Sequence, residues 1–352
     1  MGTRTEQVVA GTKANDILLR DFTSQFRSGY KRVFPSGDGG KRSGKGYLLP
    51  DYFSDYEKQI REMEIRPDDI WVASYPKTGT TWTQEMVWCI GNDLDFERAK
   101  SIVLPLRFPF IDLSCLFNFP DGPKAGLDSP LFEFLKDSVK YTVDKESPRY
   151  IKTHLPWELL PEQIKTKKAK VIYVARNPKD TCVSYYHHSR LIEGYRGSFE
   201  DFIELFLQDT VTYSPFWDHL LSYWEHRDDS NVLFLKYEEM KKDLPSVIRK
   251  VSTFMGKKQL NDEDMKTLCH HLSFESMKSN GSVNYEFAVD KTQNLGLSEG
   301  DQHFMRKGKV NSWKEEISPE VAERFDAWIE NNLNGLNLHA ESSFMKWVAG
   351  KI

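Results

Sequence analysis

Long apolar runs, paired cysteines and an excess of basic charge are all missing from this 352-residue chain. No stretch approaches the ~20 consecutive apolar residues that cross a bilayer, so we expect no membrane-spanning segment and no membrane partner. The four cysteines never form a C-x-x-C pair, which excludes a zinc knuckle or a disulfide framework and favours a reducing compartment. Lysine and arginine number 48 against 52 acidic residues, and the net charge of -4 argues against a nucleic-acid partner. We therefore expect a cytoplasmic protein whose anion-binding sites are local.

The N-terminal region is predicted to be an extension, residues 1–46, in front of one large domain, residues 47–352. Its first seven residues carry charges where a secretory signal would have an apolar core, which again favours the cytosol. Residues 35–46 are rich in Gly, Ser and Lys, a composition typical of a flexible loop. The cations Lys41, Arg42 and Lys45 could bind an anionic partner, although a solvated linker is the simpler interpretation.

Short apolar segments separated by helical patterns predict the fold class. Residues 70–73, 171–175 and 232–235 have no polar alternation, as expected for strands that are buried on both faces of a parallel sheet. Residues 212–226 place Trp217 and Trp224 on one helical face, where aromatic side chains are far more often core than ligand contacts. The pattern predicts a single α/β domain with a central parallel sheet flanked by helices.

A candidate anion site lies directly after the first of these strands. Residues 74–82 contain Lys77, Gly79, Thr80 and Thr81 between the strand and a helical pattern that we assign to residues 83–90. The free N–H groups at a helix start attract anions, a glycine permits close backbone approach, and Lys77 adds a full charge. Because Lys77 precedes Gly79, the segment is not the G-x-x-x-x-G-K-[ST] loop of nucleotide triphosphatases.

Two further segments carry groups suited to the chemistry of a transferred anion. Lys152 and His154 are two residues apart at the end of a predicted strand, so a base and a cation point to the same side. Arg176 ends the next strand, where open α/β sheets bind ligands, and Ser184 follows two helical turns later. A salt bridge from Arg176 to Asp180 is the structural alternative.

Taken together, these segments resemble the cytosolic sulfotransferase family, which transfers a sulfuryl group from 3′-phosphoadenosine-5′-phosphosulfate (PAPS) and releases 3′,5′-adenosine bisphosphate (PAP). The resemblance implies a P-loop-like nucleotide-binding core. It also implies that the catalytic residues are His154 as base, with Lys77 and Lys152. The donor-binding residues that it implies are Lys77, Gly79, Thr80, Thr81, Trp82, Arg176, Ser184, Tyr237, Phe274, Arg306, Lys307 and Gly308. No metal is implied, since lysines could stabilise the transferred charge.

The chain departs from the family pattern at three places. Asn311 and Ser312 stand where the family usually has Gly-Asp, and Leu272 replaces an adenine-contacting Thr. The family's dimer motif is only approximated by residues 314–323, so a monomer and a homodimer are both open.

The acceptor is expected to be a small hydroxylated molecule, such as a phenol, a steroid or another alcohol. Phe108, Phe110, Phe117 and Phe119 could wall an apolar pocket, although half of them are expected to be core. We assign Phe110, His154 and His188 to the pocket, and His188 makes it less uniformly apolar.

Other functions remain open at this stage. One is elimination through a sulfonated intermediate, as in the insect retinol dehydratases that resemble this chain. A second is a non-catalytic sensor of the bisphosphate nucleotide, which only the altered Asn311–Ser312 stretch favours. A P-loop kinase would require Mg²⁺ ligands that the sequence does not reveal.

Overall fold

A four-stranded parallel sheet lies at the centre of the protein, and its strands are adjacent in the order 150–153, 70–73, 170–175 and 232–236. The computed structural model describes residues 3–22, 29–35, 43–117, 130–167, 169–294, 303–334 and 347–348. The strands within these ranges are β1 (Arg4–Gln7), β2 (Tyr30–Phe34), β3 (Tyr47–Pro50), β4 (Ile70–Ala73), β5 (Tyr150–Thr153), β6 (Lys170–Ala175) and β7 (Val232–Lys236). Strand β4 is paired in register with both neighbours, so that Ile70 lies opposite Tyr150 on one side and Lys170 on the other.

Helices surround this sheet. They are α1 (Lys13–Asp21), α2 (Phe53–Arg61), α3 (Thr80–Gly91), α4 (Phe96–Ser101), α5 (Leu104–Arg107), α6 (Leu113–Leu116), α7 (Pro130–Lys136), α8 (Ser138–Val143), α9 (Ile164–Lys167), α10 (Pro178–Ile192), α11 (Phe199–Leu207), α12 (Phe216–Trp224), α13 (Tyr237–Lys242), α14 (Leu244–Met255), α15 (Asp262–His271), α16 (Phe274–Ser279), α17 (Glu286–Asn294) and α18 (Pro319–Leu333). Two 3₁₀ turns cover Trp157–Leu159 and Ser312–Glu315. None of the helices in the described part of the chain is both long and apolar enough to cross a membrane.

The sheet divides the apolar interior into two cores. Alternate residues of a strand face opposite sides, so Trp71 of β4 and Tyr173 of β6 join one buried cluster, while Val72 and Ile172 join the other. Both faces are therefore covered, which explains why the three strands predicted from the sequence have no polar alternation. The predicted α/β class and its central parallel sheet are confirmed.

The N-terminal residues add a second, antiparallel sheet. Strands β1, β2 and β3 pair in that order, and the buried side chains of α1 belong to the larger core cluster. Lys45 pairs with the buried carboxylate of Asp209 at 2.7 Å, so this predicted surface cation has an internal partner. Lys41 and Arg42 lie outside the described residues. The division of the chain at residue 46 stays a prediction.

One predicted helix is shorter than its periodic pattern. The pattern covers residues 212–226, but α12 starts at Phe216, because Tyr213 has a φ of 71° and Pro215 is the N-cap. A positive φ cannot belong to an α-helix, and proline suits the residues at a helix start. Trp217 and Trp224 are buried core residues, as predicted.

A buried ion pair ties the amino-terminal edge of the sheet together. The Arg149 guanidinium donates to both carboxylate oxygens of Asp69, at 2.8 and 2.6 Å, and also to the carbonyl oxygen of Glu64 at 2.7 Å. Asp69 directly precedes β4 and Arg149 directly precedes β5. The pair therefore fixes where two neighbouring parallel strands begin.

Replacing Arg149 by Leu is expected to lower the free energy of unfolding by about 3–5 kcal/mol, because Asp69 keeps a buried charge without its counterion. Urea unfolding followed by circular dichroism measures the change. The control is Lys140→Ala, which removes an exposed ion pair with Asp144 and should leave the midpoint almost unchanged. Equal midpoints for the two variants would show that the Arg149 pair does not stabilise the fold.

Candidate active site

A cavity of about 320 Å³ opens where the parallel strands end, at the place where α/β sheets bind ligands. All the candidate site residues predicted from the sequence line this one cavity, although they come from seven separate segments. They are Lys77, Gly79, Thr80, Thr81, Trp82, Phe110, Lys152, His154, Arg176, Ser184, His188, Tyr237, Phe274, Arg306, Lys307 and Gly308. Leu272, which the sequence analysis left out, lines it too.

The loop between β4 and α3 forms a backbone cradle. Lys77 and Gly79 have positive φ values of 70° and 113°, and such turns direct successive N–H groups into one concave surface. A Cβ atom on residue 79 would lie 2.8 Å from the Tyr237 ring, so only glycine fits there. The Thr78 hydroxyl fixes the loop by donating to the carbonyl oxygens of Tyr75 and Val174, each at 2.8 Å. Helix α3 starts at Thr80, three residues earlier than predicted.

Positive charge on half-buried side chains characterises the cavity. Desolvation, together with the charges of Lys152 and Arg176, lowers the pKa of Lys77 to about 7. Desolvation also lowers the pKa of Lys152. In the structure the two ammonium groups lie over aromatic rings, Lys77 over Phe304 and Lys152 over Phe110, each 3.9 Å from the ring centroid. These cations would bind an anion strongly because little water competes for them.

Arg176 joins the two loops on either side of the cavity. Its guanidinium donates to the carbonyl oxygens of Lys309 at 2.9 Å and Lys77 at 3.4 Å, and it lies 4.5 Å from the Tyr237 ring centroid. The alternative of an Arg176–Asp180 salt bridge is only a loose contact of 3.9 Å. Arg176 is therefore held by backbone carbonyls and an aromatic ring at the cavity wall.

Asp180 instead anchors the C-terminal loop. Its carboxylate accepts from the backbone N–H of Asn311 at 2.8 Å, the Ser312 hydroxyl at 3.1 Å and the N–H of Trp313 at 3.0 Å. Asn311 has a φ of 60°, in the left-handed region that asparagine tolerates best after glycine. Asn311 thus takes a backbone conformation that glycine also adopts readily. A Cβ atom at Gly308 would lie 2.3 Å from the Phe274 ring.

An acidic residue that the sequence analysis missed holds the cations of this loop. Glu316 accepts from Arg306 at 2.5 Å, from Lys307 at 2.8 Å and from Nε2 of His187 at 2.6 Å. Burial alone would raise the pKa of Glu316, but these hydrogen bonds outweigh it and lower the pKa to about 2. Lys307 also contacts the more exposed Glu315 at 2.8 Å. A phosphate at this loop would have to share its cations with Glu316.

The segment at residues 347–348 supports the same wall from behind. The indole N–H of Trp347 donates to Glu238 at 2.6 Å, and the backbone carbonyl of Val348 accepts from the Asn177 side chain at 3.0 Å. Glu238 in turn accepts from the Asn177 N–H at 2.9 Å. Asn177 follows Arg176 and caps α10, while Glu238 follows Tyr237. These contacts fix two neighbours of the cavity residues.

His154 is held as a neutral imidazole. Its Nδ1 lies 2.7 Å from the carbonyl oxygen of Ser74, which can only accept, so Nδ1 carries the hydrogen and Nε2 has the lone pair. Burial lowers the pKa of His154 well below its usual value, and the charge of Lys152 lowers it further. The Ser74 hydroxyl links His154, at 3.2 Å, to the Thr80 hydroxyl at 2.6 Å. The cradle and the base are thus one hydrogen-bonded unit.

Asp112 is a second missed residue, and it fixes the backbone at His154. Its carboxylate accepts from the N–H of His154 at 3.1 Å and from the Tyr213 hydroxyl at 2.6 Å. Burial raises the pKa of Asp112, while the nearby Lys152 opposes this rise. Tyr213 reaches Asp112 from a backbone with a φ of 71°, an uncommon conformation for a bulky residue. No local signal near residue 112 indicates this role.

Apolar side chains wall the rest of the cavity, as expected for an acceptor pocket. Phe110 and Phe117 line it, Phe108 is fully buried in the core, and Phe119 lies outside the described residues. The other apolar walls come mainly from α6, α7 and the region around α17, and they include Leu113, Leu116, Phe134, Leu135, Tyr285, Phe287 and Phe304. His188 and Glu193 add polar groups at the end of α10.

One buried group has the composition of a metal site but the surroundings of an ion network. Ligand atoms of Glu85, Cys89 and His271 lie within 4.8 Å of one another. The Arg107 guanidinium donates to Glu85, and His271 Nε2 lies 2.6 Å from the other carboxylate oxygen. A guanidinium bound to the same carboxylate would repel a metal ion. We therefore assign the group to the stability of α3 and α15.

The tautomer and charge of His154 can be measured directly. Because its pKa is lowered, the neutral ring should persist towards acid, and we expect no titration of His154 between about pH 6 and 8. Long-range ¹H–¹⁵N spectra of the ¹⁵N-histidine protein should show a protonated Nδ1, with the signal assigned from its loss in His154→Gln. A His154 signal that titrates near pH 6.5, or a protonated Nε2, would contradict this arrangement.

Comparisons with known proteins agree with this geometry. The model of the sulfotransferase domain family matches residues 67–337. Luciferin sulfotransferase of Photinus pyralis is 44% identical over 340 residues, which cover 96% of this chain and 89% of that protein. Human sulfotransferase 1E1 is 36% identical over 290 residues, 82% of this chain and 91% of that protein.

Two solved structures are similar over almost their whole length. Retinol dehydratase in a complex with retinol and PAP has a TM-score of 0.82 and 32% identity, and the match covers 96% of this chain and 98% of that one. Mouse sulfotransferase SULT7A1 complexed with PAP has a TM-score of 0.61 and 32% identity, over 85% of this chain and 97% of that one. The cradle, the cation-lined cavity and these similarities lead to one conclusion: the chain belongs to the sulfotransferase family and is a sulfotransferase.

Proposed function

We propose that this enzyme transfers the sulfuryl group of PAPS to the hydroxyl of a small, mainly apolar acceptor, with His154 as the general base. The observation that carries the proposal is the meeting of three features in one cavity: a backbone cradle, two sets of cations and a neutral buried histidine. A wall of aromatic and aliphatic side chains completes the cavity. An acceptor and an anionic donor can both be held there.

The donor fits the polar side of the cavity. We assign its 5′-phosphosulfate to the cradle of Lys77, Gly79, Thr80 and Thr81, where backbone N–H groups and an ammonium group converge. We assign its 3′-phosphate to the loop of Arg306, Lys307 and Gly308, together with Arg176 and Ser184. A Cβ atom would clash with the Tyr237 ring at Gly79 and with the Phe274 ring at Gly308, so glycine lets both loops pack directly against these rings.

The adenine is assigned to the aromatic residues between these two anion sites. The rings of Trp82 and Tyr237 are 5.6 Å apart in an edge-to-face arrangement, and Phe274 lies against Gly308. Leu272 replaces a hydroxyl contact of the family with an apolar one. We therefore expect stacking and apolar contact to contribute most of the adenine binding.

In the proposed reaction, Nε2 of His154 accepts the proton of the acceptor hydroxyl. The acceptor oxygen forms a bond to sulfur while the bond from sulfur to the phosphate oxygen breaks, which gives a sulfate ester and PAP. Lys77 and Lys152 stabilise the charge on the transferred group and on the leaving oxygen from a half-buried position. Preorganised lysines can supply the positive charge that a metal ion supplies in many phosphoryl transfers, so we propose a metal-free site.

The names of the similar proteins guide the choice of acceptors. One relative is a luciferin sulfotransferase, and one similar structure is a retinol dehydratase bound to retinol. Phenols, steroids, luciferin and retinol are therefore the first candidates. The high structural similarity to retinol dehydratase favours one alternative outcome, in which a sulfonated allylic alcohol loses sulfate and yields a dehydrated product. The nucleotide-sensor alternative loses its basis, because Asn311 and Ser312 are anchored by Asp180.

The proposal is tested by measuring PAP release from PAPS across these acceptors, with mass spectrometry of the products. His154→Ala is expected to lower kcat by at least about a hundredfold and to change the Kd for PAP only a few-fold, because a base acts in the transition state. Arg176→Ala is the matched contrast and should weaken PAP binding about tenfold or more. Loss of PAP binding in His154→Ala would contradict its role as the base. The product mass separates an ester from a dehydrated product.

Glu316 gives a separate test of the 3′-phosphate site. Its carboxylate shares Arg306 and Lys307 with the bound phosphate, so Glu316→Gln is expected to tighten PAP binding several-fold by removing a negative charge nearby. Isothermal titration calorimetry measures the Kd. Glu315→Gln is the control, because Glu315 contacts Lys307 only and is more exposed, and it should have a smaller effect. Weaker PAP binding by Glu316→Gln would mean that Glu316 positions Arg306 instead.

A further inference from the structure

We propose that the acceptor cavity contains a polar subsite, formed by His188 and Glu193, that binds a second hydroxyl group of the acceptor. This inference rests on the proposed function, because it describes the acceptor of the same reaction. It assigns an acceptor class: molecules that carry one hydroxyl at His154 and another that reaches the end of α10.

The two side chains form a pair in the cavity wall. Nε2 of His188 lies 3.9 Å from Oε1 of Glu193, and the side chains are only 18% and 6% exposed. Ser189 donates to the other carboxylate oxygen of Glu193 at 3.3 Å. The His188 ring also meets the edge of Phe304, at 5.7 Å between centroids. An imidazole and a carboxylate are thus placed side by side among apolar walls.

Glu193 occupies an unusual position for a carboxylate, although its charge attracts the Lys77 ammonium group. Glu193 is the C-cap of α10, where the helix dipole carries partial negative charge and disfavours a carboxylate. Burial beside Ile192 and near Phe304 adds a desolvation cost that a neutral residue would avoid. Residues that break such local rules tend to lie at functional sites. The pair faces the same cavity as His154, and the carboxylate of Glu193 disfavours an anionic donor beside it, so the acceptor is the ligand that it suits.

The chemistry of the pair favours an uncharged hydrogen-bond donor. A carboxylate accepts strongly from a hydroxyl, and the neighbouring imidazole can donate to or accept from the same group. An ammonium group is disfavoured because Lys77, Lys152 and Arg306 line the same cavity. A hydroxyl on the acceptor can add a hydrogen bond to this carboxylate, and a methyl group at the same place cannot.

The test compares matched phenols: 4-(ω-hydroxyalkyl)phenols with side chains of two to five carbons, and 4-alkylphenols in which methyl replaces the terminal hydroxyl. Binding to the PAP complex is measured by calorimetry, and turnover is measured with PAPS. At one chain length or more, the unaltered enzyme should prefer the hydroxyalkyl member about tenfold or more. His188→Phe and Glu193→Gln should each reduce this preference to about twofold, without weakening alkylphenol binding.

Ile192→Val is the control, because it lies on the same helix and lines the same cavity but has no polar group. Ile192→Val should change the affinity and the turnover of both members of each phenol pair by the same factor. The proposal is overturned if the unaltered enzyme shows no preference at any length, or if the two variants weaken both members equally. PAP binding by each variant verifies its fold, and having two variants keeps the test valid if one misfolds. If the proposed sulfotransfer to these phenols is wrong, the phenols would bind but no PAP would be released from PAPS. The preference in binding would then still test the subsite.

Discussion

The rest of the structure depends on one constraint: positively charged side chains are partly desolvated at the carboxyl ends of the parallel strands. Lys77 and Lys152 are half-buried in one cavity, and desolvation there lowers the pKa of each. Such charges are costly unless something compensates them. In the protein alone, aromatic rings lie beneath both ammonium groups. An anionic substrate supplies better compensation, so the same burial that makes the site costly makes it selective for anions.

Carboxylates around the cavity organise the groups that touch the substrates. Asp180 anchors the turn at Asn311, Asp112 fixes the backbone of His154, and Glu316 gathers the cations of the C-terminal loop. Each lies behind or beside the cavity wall. Because an active site must hold its groups within a fraction of an ångström, such contacts also influence activity. The cavity is therefore shaped by negative as well as positive charge.

Apolar runs and strand ends are local signals, so the sequence predicted the four strands of the parallel sheet and the candidate residues that follow them. The antiparallel strands β1–β3 were not predicted, and Trp82, Tyr237 and Phe274 were indicated only by the resemblance to the family. The sequence did not predict the supporting carboxylates either. Asp112 lies 42 residues from His154 and Glu316 lies 129 residues from His187, so their roles depend on tertiary packing. The predicted start of α12 was wrong for a related reason, because hydrophobic periodicity does not reveal the positive φ of Tyr213. Local sequence patterns thus indicated candidate site residues but not the carboxylates that support them.

The contact between Asn177 and residue 348 has a consequence for how the enzyme is made. The two partners are 171 residues apart, a length that a ribosome takes roughly ten to thirty seconds to synthesise. Until Trp347 and Val348 emerge, the cap of α10 and Glu238 lack contacts that hold the wall beside Arg176. A nascent chain can therefore assemble its parallel sheet and its cradle well before the cavity wall beside Arg176 has all its supporting contacts. The order of synthesis thus separates the formation of the sheet from the completion of the cavity.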